Sequence, residues 1–108
     1  MGAQSSAAKP YKHYSINSVM ALLSEAMELL SDKFPLSHDS DKRVNEILDE
    51  LDKCRKTAND STISISASIA IGSIRIRHDE LEIDYIKNEN STLKNENNAL
   101  KKAAMNNN

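Results

Sequence analysis

Residues 61–78 read STISISASIAIGSIRIRH, and the conformation of this stretch decides the fold. Ile63, Ile65, Ala67, Ile69 and Ile71 alternate with serine, threonine or alanine. A period of two in β-branched residues is the pattern of a strand with one buried face. Gly72-Ser73 breaks the phase, and Ile74 and Ile76 restart it one residue out, as a turn or bulge does. A second turn at His78-Asp79 sets Arg77 opposite Glu80 and Arg75 opposite Glu82 as cross-strand ion pairs. Residues 60–80 are therefore expected to form a short β-hairpin or β-meander. The rival is a helix, because Ile65, Ile69, Ile76, Ile83 and Ile86 share one heptad frame. That frame puts Gly72 and Asp79 at core d positions, where they pack badly, and it relies on Ser and Ile, which are middling helix formers.

Downstream, the same frame becomes regular. With Ile86, Leu93 and Leu100 at d, position a holds Ile83, Asn90, Asn97 and Ala104. Position g holds Glu82, Glu89 and Glu96, and position e holds Lys87, Lys94 and Lys101. In a parallel pair of helices, g of one chain faces e of the next heptad on the other, so each glutamate meets a lysine. In an antiparallel pair e faces e, and lysine meets lysine. Asparagine at a is costly unless it meets a second asparagine across the seam, which a parallel in-register pair supplies at both positions. Residues 81–104 thus resemble leucine zippers in general, and the resemblance implies a parallel homodimer. Its interface would hold Ile83, Ile86, Asn90, Leu93, Asn97 and Leu100, with Glu89, Lys94, Glu96 and Lys101 beside them. A different chain with a similar seam is the alternative partner. Residues 105–108 are expected to form a disordered tail.

Upstream, residues 1–13 are small and polar and are expected to form a disordered arm. Residues 14–59 are expected to form a helical hairpin. Ile16, Val19, Leu23, Ala26, Met27, Leu30 and Phe34 recur at three- and four-residue spacing after N-cap candidates at Ser15–Asn17, and Pro35 stops the run. Val44, Ile47, Leu51, Cys54 and Ala58 form a second stripe, with Asp39 or Ser40 as its cap. Residues 25–52 carry nine acids against Lys33, Lys42 and Arg43, so the hairpin should present an acidic, apolar-striped surface that a second protein partner could use. The fold class is mainly α: an N-terminal helical hairpin, a short β element and a C-terminal parallel coiled-coil helix.

Composition narrows the function. Net charge is −2, and no basic run precedes the zipper as a basic-zipper DNA reader requires, so nucleic acid is not an expected partner. His13, His38 and His78 lack metal-ligand spacing, Asp39 and Asp41 sit in a joint too short for an EF-hand loop, and Gly72 stands alone rather than in a phosphate loop. Cys54 falls on an apolar stripe and reads as a small buried hydrophobe. A single cysteine suits a reducing compartment, and a cytoplasmic location is expected. No catalytic, metal or cofactor assembly is expected. One modification motif occurs: Met1, Gly2 and Ser6 match M-G-x-x-x-S, which would myristoylate Gly2. The expected function is a non-enzymatic scaffold or adaptor that self-associates through its C-terminal helix. The alternative is an N-myristoylated peripheral membrane protein, viral or signalling, whose weak single-chain anchor is strengthened by dimerisation.

Overall fold

The computed structural model describes residues 14–31 and 33–106. Among the described residues the fold consists of three helices: α1 (Ile16–Leu29), α2 (His38–Thr57) and α3 (Ser61–Asn106). The β-hairpin or β-meander expected over residues 60–80 does not form. No strand occurs among the described residues, and the Ile/Ser stretch is the first third of one 46-residue helix.

The physical reason lies in the geometry of a two-residue step. In a helix, two residues turn through about 200°, so an alternating pattern places its isoleucines on opposite sides. Ile63, Ala67, Ala70 and Ile74 face α1 and α2; Ala67, Ala70 and Ile74 are fully buried and Ile63 is half-buried. Ile65, Ile69 and Ile76 face away and are exposed. Ser66, Ser68 and Ser73 lie on the flanks between the two faces. The pattern of one-faced strand burial is thus produced by a helix with two apolar faces. The ion pairs expected between strands change accordingly. Arg77 and Glu80 do approach, at 3.6 Å, but as helical neighbours one turn apart.

Local chemistry starts and ends each element. The Ser15 hydroxyl accepts from the Ser18 backbone N–H at 3.1 Å and caps α1. This helix ends at Leu30, whose N–H donates to the Ala26 carbonyl, several residues before Pro35. The cap of α2 is Ser37 rather than Asp39 or Ser40: its hydroxyl accepts from the Ser40 N–H at 3.1 Å. Asp39 and Asp41 occupy the first turn and Arg55 and Lys56 the last, each sign complementing the helix dipole. Asp60 accepts from the Thr62 N–H at 2.8 Å at the start of α3, and Ser64 Oγ donates to the Arg55 carbonyl at 2.6 Å, tying the end of α2 to α3.

The core joins all three helices. Val19 and Ala26 from α1, Leu30 at its C-cap, Val44, Ile47, Leu51 and Cys54 from α2, and Ala67, Ala70 and Ile74 from α3 are buried together. The alanines on α3 let the two shorter helices approach its backbone closely, and Phe34 in the joint packs edge-on against His78 with ring centroids 5.6 Å apart. The ring of Tyr85 lies 5.7 Å from Phe34, at the far edge of the head. The N-terminal half of α3 covers most of the hairpin's apolar stripes, leaving Ile16 and Met20 on α1 exposed.

One polar clamp links α1 to α2. Arg43 reaches Glu25 with two hydrogen bonds, Nη2 to Oε1 at 2.7 Å and Nε to Oε2 at 2.5 Å. This bidentate contact holds the Glu25 carboxyl below the usual carboxylate range. A lowered folded-state value stabilises the fold above the ordinary carboxylate pKa, and the contribution is lost as pH falls through the folded value. Both side chains remain more than a third exposed, so the clamp is worth no more than about 1 kcal/mol. Glu25→Gln is expected to lower the urea midpoint slightly at pH 7, and this difference from the parent should shrink progressively as pH is lowered below the ordinary carboxylate range. A difference that stays constant down to the lowest pH at which the fold survives would show that the carboxylate charge is not its source.

Candidate functional site

Beyond Tyr85, none of the contacts among the described residues reaches α3 from another element. Residues 86–106 are exposed throughout, and the molecule measures 90 × 24 × 18 Å. The radius of gyration is 22.2 Å, whereas a compact chain of this size has about 13 Å. At about 1.5 Å per residue, α3 alone spans roughly 69 Å. A water-exposed single helix of this length gains little from local propensity, and in proteins helical stability comes chiefly from packing an apolar face.

Such a face is present. Ile83, Ile86, Leu93 and Leu100 are all about half exposed or more, up to 68% at Leu100. Asn90 and Asn97 lie between them on the same stripe and are exposed. The flanking Glu89, Glu96, Lys94 and Lys101 are exposed too, and among the described residues none of them forms an ion pair within the protomer. Their spacing explains this, because a g residue and the following e residue lie across the apolar stripe from each other on one helix. The helix thus presents apolar side chains, a polar break at two of its a positions, and rows of opposite charge on either side.

The other candidate residues are placed as follows. Gly2 lies outside the described residues. Cys54 is fully buried in the core, and burial pushes its thiol pKa up, so it is a poor nucleophile. His78, Asp79 and Glu82 form a group not anticipated from the sequence. One ligand atom from each lies within 4.8 Å of the others, all on α3. The signal in the sequence is His-Asp-x-x-Glu, which a helix gathers onto one side and a strand would disperse. Asp79 and Glu82 are exposed, and His78 is half-buried against Phe34. An imidazole with two carboxylates is a donor set suited to a divalent first-row cation. Among the described residues, no helix is long and apolar enough to cross a membrane.

The chain is an extended helical protein whose long C-terminal helix carries exposed hydrophobic residues, a shape consistent with coiled-coil self-association. Comparison with protein families, with curated proteins and with solved structures found no match.

Proposed function

We propose that this protein is a non-enzymatic scaffold that self-associates in parallel through α3, with the compact head at one end and the paired helices projecting from it. The observation that carries the reading is the exposed row Ile83, Ile86, Leu93 and Leu100 on a helix whose residues 86–106 are exposed throughout. Burying each of these side chains contributes roughly 1.5–3 kcal/mol when complete, and a second helix laid along the row buries them together. Glu89 and Glu96 at g meet Lys94 and Lys101 at e of a second copy only when the two helices run the same way. Asn90 and Asn97 then face their own equivalents, which satisfies their amides and sets the register. The scaffold would hold two heads, each with an acidic outer surface that includes Glu28, Asp39, Asp41 and Glu46, at a common end of a two-helix stem.

A single cysteine substitution tests orientation. Asn97→Cys places a thiol at position a, opposite its own equivalent in a parallel pair. The native Cys54 is buried and will not compete. Mild oxidation is expected to convert most of the chain to a species of twice the 12.0 kDa protomer mass. A product that stays at protomer mass, with the thiol free, would refute a parallel in-register pair.

A further inference from the structure

We infer that the self-association seam does not begin at Ile83 but runs the length of α3, so that a second copy of this chain also lies along the outer face of the head, opposite the hairpin. This rests on the parallel pairing proposed above and extends it. The register continues unbroken toward the N-terminus of the helix. Counting back from Ile83 at a, Ile76 and Ile69 also fall at a, and Ile65 falls at d. Each is roughly 60% exposed or more: Ile65 59%, Ile69 63% and Ile76 63%. The residues that bury against α1 and α2 occupy the far side of the same turns. Ala67, Ile74 and Leu81 are at position f, diametrically opposite the seam; the first two are fully buried and Leu81 is half-buried. Where the head ends, position f changes to Asn88, Asn95 and Lys102, all exposed. Among the described residues, head packing thus uses the side of α3 that carries Ala67, Ala70 and Ile74, and leaves the seam residues Ile65, Ile69 and Ile76 exposed.

Charge supports the same occupant. In the head, position g holds Ser68 and Arg75, and the e positions they would face hold Ser73 and Glu80. Arg75 therefore meets Glu80 of a second copy, with the signs reversed relative to Glu82–Lys87, Glu89–Lys94 and Glu96–Lys101. No g–e pair along the helix sets like charges together. A reversed pair at one end also penalises a copy shifted by one heptad, since Arg75 would then face Lys87, or Glu82 would face Glu80. Two positions weaken the head portion of the seam. Gly72 at d leaves a gap, with nothing within 4 Å of where its Cβ would stand. Asp79 at d would oppose the same carboxylate on the second copy.

Sedimentation equilibrium of the full chain and three variants tests the extension. Asp79→Leu is expected to tighten the dimer about tenfold or more, because a like-charge contact is replaced by an apolar one. Ile69→Lys with Ile76→Lys is expected to weaken it about tenfold or more with the helical circular-dichroism signal retained, since both residues are exposed in the protomer. Leu93→Lys with Leu100→Lys serves as the control for the C-terminal seam. If that control disrupts the dimer while neither head variant moves its dissociation constant, contact is confined to residues 82–104. The extension is then overturned and the parallel pair stands. If the parent chain sediments as a single copy at all concentrations, both readings fail together.

Discussion

Ile74→Ala is expected to lower protomer stability by about 2–5 kcal/mol, the range for truncating a fully buried aliphatic side chain. Small domains have a total of roughly 5–15 kcal/mol, so this one change removes a large share. Ile74 is fully buried where α3 meets both shorter helices. Its loss leaves a cavity between three elements joined by short connections, with little room to collapse. Two residues further on, Ile76→Ala should change protomer stability by no more than about 0.5 kcal/mol, because Ile76 is 63% exposed. The contrast is the informative part. On a strand, residues 74 and 76 share a face and would respond alike, whereas on a helix they point in nearly opposite directions. Urea unfolding followed by circular dichroism, at a protein concentration low enough to keep the chain single, measures both. Equal losses for the two variants would sink the helical placement of residues 61–78.

The second large effect concerns pairing rather than folding. Lys94→Glu with Lys101→Glu sets carboxylates at the e positions against Glu89 and Glu96 of the second copy. Two g–e contacts, doubled by symmetry, change from attraction to repulsion. With exposed pairs worth about 0.2–1 kcal/mol each, the total change is roughly 2 kcal/mol or more, about a thirtyfold weaker dimer. A second chain carrying Glu89→Lys with Glu96→Lys should also pair poorly with itself. Mixing the two should restore a tight heterodimer, because every glutamate then finds a lysine. Analytical ultracentrifugation of each chain alone and of the mixture reads the outcome. The defect should shrink as salt is raised, since exposed charges are screened over about 8 Å at physiological ionic strength. Two variants that pair with themselves as well as the parent does would remove Glu–Lys complementarity as the source of partner choice.

Much of the molecule was legible before any tertiary information. The two stripes of the hairpin, the cap at Ser15, the buried position of Cys54 and the heptad of the final helix all follow from short-range periodicity and from side chains that bond to their own backbone. Such features are local: a serine reaches an N–H three residues on, and an i, i+3, i+4 pattern defines a face whatever lies opposite it. Short-range pattern does not single out the cap of α2, because Ser37, Asp39 and Ser40 are all capable acceptors within one turn. The choice among them depends on where the chain leaves the Phe34–Leu36 joint.

The Ile/Ser stretch could not be resolved in this way. Alternation at two residues describes either a strand with one buried face or a helix with two apolar faces. The deciding quantity is how many partners the segment has, and no residue within 61–78 encodes that. Its partners, Val19, Ala26 and Leu30 on one side and Val44, Ile47 and Leu51 on the other, lie ten to more than fifty residues away in the chain. Once they pack onto Ala67, Ala70 and Ile74, one apolar face is satisfied and the backbone is committed to the helical turn. The identity of each face was written in the residues, but its occupant came from contacts made across the fold. Free energy of burial depends on what arrives from elsewhere as much as on the side chain that is buried.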